Sequence, residues 1–250
     1  MKVFILSQRA KHEIDHGKIL SQGDPELIWG WGTPAGRLRA KKRAELISIN
    51  ACLKPGMNIL EIGCGTGLFT EMFAHTGAQI IGMDISPDLL EKAKARNLPK
   101  DQVKFFEKNF HEYDIDGSFD AVIGSSVLHH LDIIPALTII YKLQKPGGCI
   151  SFAEPNMLNP QVFLERKLSF IPFFNYVSPD ETAFLRWSLQ STLYKAGFED
   201  VKIVPFDWLH PATPEIFIGF VKLIGYYMEK IPILREFSGS ISIFARRPLN

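Results

Sequence analysis

No sign of charge dominates this 250-residue chain. Lys plus Arg number 28 and Asp plus Glu 27, a formal net charge of +1. The bulk attraction that draws nucleic acid onto a basic protein is missing, so no nucleic-acid partner is expected. Cysteine is scarce too. Cys52, Cys64 and Cys149 are odd in number and far apart, which argues against a disulfide framework and against a zinc cluster. No metal is expected, and the setting reads as reducing and cytoplasmic. No apolar run reaches the roughly 18 residues that a bilayer-spanning helix needs. The stretch Met1 to Asp15 lacks the apolar centre of a secretion signal. There is no internal repeat.

What is present is a globular composition, 46% apolar and 22% charged. Residues 1–37 show little periodicity and carry a Gly- and Trp-rich, loop-like stretch from Trp29 to Gly36. Arg37 to Leu53 reads as a helix with a basic outer face, ended by Pro55-Gly56. Short apolar runs then alternate with helical stretches. Strands are predicted at Asn58–Ile62, Gln79–Met83, Val103–Glu107, Phe119–Gly124 and Cys149–Ala153. Helices are predicted at Gly67–His75, after Ser86-Pro87-Asp88 and from Asp132 to about Gln144. Such alternation predicts an α/β fold, a doubly wound and mostly parallel sheet with helices on both faces.

The remainder differs. Residues 155–179 mix prolines with aromatics, as a loop or short lid would. Ser178-Pro179-Asp180-Glu181 has capping-box spacing and predicts a helix to Lys195, with Gly197 just beyond it. Two more strands are expected at Val201–Pro205 and Ser240–Arg246. Between them, Glu215 to Lys230 is an unusually apolar helix in which Glu215, Lys222 and Glu229 line one narrow stripe. Such a helix should bury most of its surface. A second copy of the chain or a peripheral membrane contact through 215–230 is the alternative.

The chemistry concentrates at Glu61-Ile62-Gly63-Cys64-Gly65-Thr66-Gly67. An apolar strand runs into glycines at every second position, so the backbone can turn sharply and approach a ligand at the carboxyl end of a strand. A dinucleotide fingerprint would need its third glycine at Leu68; here it falls one residue early, at Gly67. Asp84 ends the next strand, where a carboxylate can accept hydrogen bonds from two ribose hydroxyls.

This run resembles the first motif of the Rossmann-like, class I S-adenosylmethionine-dependent methyltransferases. Further matches follow in the family's order across residues 58–155, at Asp84, at Phe119-Asp120-Ala121-Val122-Ile123-Gly124-Ser125 and at Leu143-Gln144-Lys145-Pro146-Gly147-Gly148. The resemblance implies a seven-stranded sheet with its last strand antiparallel. It implies that Glu61, Gly63, Cys64, Gly65, Gly67, Asp84, Ile85, Asn109, Phe110 and Ser125 surround the cofactor S-adenosylmethionine. Asn109 departs from the acidic residue often found near that position, though its amide both donates and accepts. His129 and His130 would lie near the methyl donor as candidate bases. Loop hydrogen bonding is the plainer role for either.

Trp29, Trp31 and Arg37 are candidates for the acceptor wall. The cluster Arg37, Arg39, Lys41, Lys42 and Arg43 is either a solvated helix face or a site for an acidic acceptor. The expected organisation is a covering segment at 1–37 and a methyltransferase domain at 38–250, with acceptor-capping insertions at about 156–178 and 207–238. The expected reaction is methyl transfer to an O, N or C nucleophile of a small molecule, apolar or linked to lipid or sugar, releasing S-adenosylhomocysteine. A nicotinamide-dependent oxidoreductase and a catalytically silent cofactor-binding scaffold are the rival readings. Replacing Asp84 by Ala is expected to weaken cofactor binding by about 1–3 kcal/mol, the scale of lost charged hydrogen bonds. Unchanged affinity in calorimetry would remove Asp84 from the site.

Overall fold

Strands buried on both faces read as continuous apolar runs, and the first strand behaves so: every residue from Ile59 to Ile62 is buried. The computed structural model describes residues 8–111, 118–167 and 183–250. Among them, seven strands form one sheet: β1 (Asn58–Ile62), β2 (Gln79–Asp84), β3 (Val103–Glu107), β4 (Phe119–Ser125), β5 (Gln144–Pro155), β6 (Glu199–Phe206) and β7 (Ser240–Arg246). Their order is 3-2-1-4-5-7-6. The first five are parallel, and β7 runs antiparallel between β5 and β6. After β3 the chain returns to the other side of β1, so a crevice opens beyond the carboxyl ends of β1 and β4.

The helices are α1 (Gln8–Ser21), α2 (Pro25–Ile28), α3 (Pro34–Asn50), α4 (Leu68–Ala74), α5 (Pro87–Ala95), α6 (Ile133–Leu143), α7 (Pro160–Lys167), α8 (Arg186–Lys195), α9 (Glu215–Lys230) and α10 (Pro232–Arg235). Alternation along the strands gives each face its own core. Ile59, Ala121 and Ile123 pack with Ile47 of α3 and Phe73 of α4. Leu60 and Val122 pack with Leu137 and Ile140 of α6 and Leu193 of α8.

Local signals set most boundaries. Ser86 caps α5 by accepting a hydrogen bond from the Leu89 N–H at 3.3 Å. Thr33 caps α3 through the Gly36 N–H at 2.9 Å, so that helix opens at Pro34 rather than Arg37. Asp132 precedes α6, but its side chain makes no capping bond. β5 begins at Gln144, earlier than expected. Gly147 and Gly148 lie inside it, where the register with β4 jumps from Phe119↔Gln144 to Ala121↔Cys149.

Three expectations need correction. The helix forecast from Ser178 starts outside the described residues, and the chain is not helical at 183–185. Phe184 pairs with Asn156 instead, and its carbonyl accepts the Met157 N–H at 3.0 Å, so a tertiary bridge stands where helix was expected at that residue. Residues 1–37, read as largely aperiodic, contain α1 and α2. Helix α1 buries Ala10, Gly17 and Leu20, small contacts that leave a weak pattern in the sequence. Finally, α9 does not bury most of its surface: only Ile218 and Gly225 are buried. Its inner edge packs on Ala35 and Leu209, while its other apolar residues face outward.

Gly17 is what lets α1 lie down on the domain. A Cβ there would stand 2.3 Å from the Ser86 Oγ, closer than any real contact. Gly17→Leu is therefore expected to lift α1. Amide exchange across residues 8–21 should quicken about tenfold or more, with the amides of β1 and β4 unchanged. Unchanged protection of α1 would refute this packing.

Candidate active site

A cavity of about 350 Å³ occupies the crevice, a size suited to a small-molecule ligand. Its floor is the loop after β1. Gly63 has φ +64°, and a Cβ there would meet the Val127 Cγ2 at 2.3 Å, so only glycine lets this loop pass under the tip of β4. One wall is Asp84 and Ile85 at the end of β2, with Lys108, Asn109 and Phe110 after β3. The opposite wall is Ser125, Ser126, Val127, His129 and His130 after β4. Trp29, Trp31 and the α1 residues Arg9, Glu13 and His16 form the roof.

Asp84 is held firmly. Its Oδ2 accepts the Gly65 N–H at 2.8 Å and its Oδ1 the Ser86 N–H at 2.9 Å. Burial raises its pKa, and these two donors oppose the rise. A carboxylate has about four acceptor sites, so two backbone bonds leave capacity toward the cavity. The roof is pinned to the floor: Thr66 donates to Glu26 of α2 at 2.9 Å, and Arg96 pairs with both Glu26 and Glu71. The Trp29 ring lies against Gly65, 3.5 Å from where a Cβ would stand.

The methyl-donor end was only half legible. Glu154, fully buried at the end of β5, accepts the Val127 and Leu128 N–H groups at 2.9 Å each and faces the His129 Nδ1 at 2.6 Å. Burial alone would raise its pKa, but the bond to His129 and the two backbone donors hold it below the usual carboxylate range. Burial, and then the neighbouring His130, lower His129 to about 4 against the pull of Glu154. The pair is thus an ionised carboxylate and a neutral imidazole. An ionised carboxylate only accepts, so Nδ1 carries the proton and Nε2 the lone pair. His130 lies beside it, tilted, at 4.2 Å between ring centroids, and faces Glu13 of α1 at 3.0 Å. Arg9 donates to the His129 carbonyl at 3.0 Å.

Arg43 braces the same loop from behind. It is buried in α3 and donates to the Ser126 Oγ at 2.9 Å, the Ala153 carbonyl at 3.1 Å and the Ser240 Oγ at 2.6 Å. Burial lowers its pKa to about 10, which leaves it cationic at neutral pH. Ser126 sits at φ +56°, an uncommon conformation held by these bonds.

The family model described as "Methyltransferase domain" matches residues 60–150, the segment that builds the floor and both walls. A ubiquinone biosynthesis O-methyltransferase of Methylococcus capsulatus is 28% identical over 210 residues, covering 76% of this chain and 87% of the relative. One of Xanthomonas axonopodis pv. citri is 33% identical over 133 residues, covering 51% of this chain and 56% of the relative. These likenesses support a class I S-adenosylmethionine-dependent methyltransferase. Among solved structures, the N-methyltransferase NodS of Bradyrhizobium japonicum, in complex with S-adenosylhomocysteine, shares the fold. Its TM-score is 0.65 at 16% identity, with 95% of this chain and 99% of that one covered.

The methyltransferase places most of its candidate residues around one cavity: Gly63, Cys64, Gly65, Asp84, Ile85, Asn109, Phe110, Ser125, His129, His130, Trp29 and Trp31. Three others lie off its wall. Arg37 turns outward onto the Gly32 carbonyl. Gly67 packs against Ala93 and Arg96. Glu61 points away into the core, where Thr70 donates to it at 2.6 Å, because alternation along β1 turns its side chain from the crevice. Arg43 and Glu154 escaped the sequence reading. Arg43 lies in a charge cluster that suggests a solvated helix face or a site for an acidic acceptor, and neither is a buried brace. Glu154 had one signal, a carboxylate closing the apolar run Cys149-Ile150-Ser151-Phe152-Ala153.

Burial raises Glu61 to about 8, so it is an uncharged carboxyl at neutral pH. Its folded pKa exceeds the unfolded value of 4.5, so the folded state holds the extra proton. Stability therefore falls as pH rises from 4.5 through 8. Glu61→Gln should remove this loss and raise Tm at pH 9 relative to wild type by roughly 5 °C. Parallel Tm–pH curves for the two proteins would show that Glu61 is ionised in the fold.

Proposed function

We propose that this methyltransferase methylates a hydroxyl oxygen of a small, largely apolar acceptor. The observation that carries the reading is the neutral His129 on the cavity wall, backed by the buried Glu154. A hydroxyl is a poor nucleophile until it gives up its proton, and an imidazole oriented by a carboxylate is suited to take it. The two relatives named O-methyltransferases support the choice of oxygen.

In this reading the cavity fits S-adenosylmethionine, which supplies an electrophilic methyl group. Asp84 would accept hydrogen bonds from its ribose hydroxyls, and Ile85 and Phe110 would flank its adenine, with Asn109 beside them. The backbone at Gly63, Cys64, Gly65 and Ser125 would line its methionine part. Nε2 of His129 takes the acceptor's proton, and Glu154 steadies the imidazolium that results. Helix α1 with Trp29 and Trp31 keeps water out, the role assigned to residues 1–37. Of the two capping insertions, 156–178 contributes Arg166 to the wall, whereas none of the described residues of 207–238 reaches it. The three cysteines are free, two of them buried, which suits a reducing compartment such as the cytoplasm.

The test is transfer of a labelled methyl group to a panel of phenols, aliphatic alcohols and amines. Phenols or alcohols should be methylated in preference to amines. His129→Gln should lower kcat about 10²- to 10⁴-fold and leave S-adenosylhomocysteine affinity nearly unchanged. Because burial keeps His129 in its base form down to about pH 4, the acid limb of kcat/KM should fall below the ordinary histidine pKa. Preference for amines, or equal losses in kcat and cofactor affinity, would refute the reading.

A further inference from the structure

Helix α9 is apolar on two opposite sides, and the described residues pack on only one of them. Ile218, Val221 and Gly225 face inward, where Gly225 lets the helix close on Trp208. Opposite them, Ile216, Phe220, Leu223 and Tyr227 recur at spacings of four, three and four, a single stripe along a helix. Ile216 is 83% exposed, Phe220 62% and Leu223 56%. The stripe does not stop with the helix. Ile233, Leu234 and Phe237 extend it through α10. The Phe237 carbonyl accepts from Asn159 at 2.8 Å, stitching α10 to the start of α7, which exposes Phe163 and Leu164. Helix α7 also carries Arg166 to the cavity wall.

The charges around this surface are sorted. Glu229 turns inward to Lys42 and the Asp207 N–H, both at 2.8 Å, and Glu236 turns to Arg186 at 2.7 Å. Lys222 and Lys230 stay exposed on one flank of the stripe with Glu215, Lys230 lying 4.0 Å over the Tyr226 ring. Among the described residues neither lysine has an ion-pair partner, so the rim of the apolar surface is cationic on balance.

We propose that the α9–α10 surface docks on an anionic lipid bilayer, with α9 lying in the interface plane. An apolar stripe of Phe, Leu and Ile edged by Tyr and Lys is the composition of such helices. At 16 residues, about 24 Å long, α9 is too short to cross. A pairing with a second copy would cover one helix face, whereas the apolar surface turns the corner through α10 to α7. Docking this way brings an edge of the cavity to the lipid, so that an acceptor dissolved in the bilayer reaches it without crossing water. That consequence rests on the apolar acceptor proposed above; the docking itself does not.

The experiment is flotation of the whole chain with vesicles of phosphatidylcholine, pure or doped with phosphatidylglycerol, beside sedimentation without lipid. The wild type should sediment as a monomer and float with the doped vesicles. Phe220→Ser with Leu223→Ser should cut vesicle affinity at least about tenfold, with circular dichroism and S-adenosylhomocysteine binding unchanged. Lys222→Glu with Lys230→Glu should weaken binding to doped vesicles alone. Failure of the wild type to float, or a wild-type dimer that the Phe220/Leu223 variant splits into monomers, would overturn the proposal. Neither result would touch the labelled-methyl assay, so this idea and the hydroxyl-methylation reading fail separately.

Discussion

A single buried carboxylate organises the chemically decisive end of the molecule. Glu154 is cut off from water, and a charge there is tolerable only because three donors converge on it. Two of them are the backbone groups of Val127 and Leu128, so satisfying the charge also fixes the path of the chain after β4. The third is His129, so the same requirement fixes the imidazole's orientation and tautomer. The loop's shape and the candidate base follow from one electrostatic demand. Arg43 meets it from the other side by tying Ser126, β5 and β7 to α3.

The second organising constraint is steric. The parallel sheet delivers loop after loop to one edge, but a ligand can sit there only if the first loop stays thin. Gly63 keeps it thin against Val127, and Asp84 then draws Gly65 down by a hydrogen bond. The roof uses the same device, with Gly17 allowing α1 to settle on Ser86. Floor and roof thus meet through the absence of side chains, while the walls are set by polar contacts. This division explains why Glu61, two residues before the glycine loop, serves the core instead of the cavity: it lies on a strand, where alternate residues face opposite ways.

The sheet itself was legible in the chain because its signals are local. Apolar runs of strand length, the Ser86-Pro87 start and the glycine turns each act within a few residues, and apart from the early start of β5 the observed strands keep close to their expected ends. Legibility failed wherever a distant partner decided. Phe184 was drawn from a helix into a bridge by Asn156. Arg43 turns to the interior because Ser125, Ser126, Ala153 and Ser240 accept from its two terminal nitrogens. The outward face of α9 reads as buried because apolar residues ordinarily face a core, and no local pattern tells that, among the described residues, the neighbouring elements pack on only one edge.

The sequence alone determined the order of the strands along the chain, the glycine loop, the acid at Asp84 and, through them, the resemblance to methyltransferases. Each depends on backbone conformation and spacing within a short segment, which residue type controls directly. Only the tertiary structure decided that Glu154 stands behind His129, that Arg43 is a buried brace, that α1 roofs the cavity and that α9 keeps an apolar face outside. Those outcomes depend on which groups lose water together, and desolvation is a property of the assembled neighbourhood, settled only when residues far apart in the chain have met.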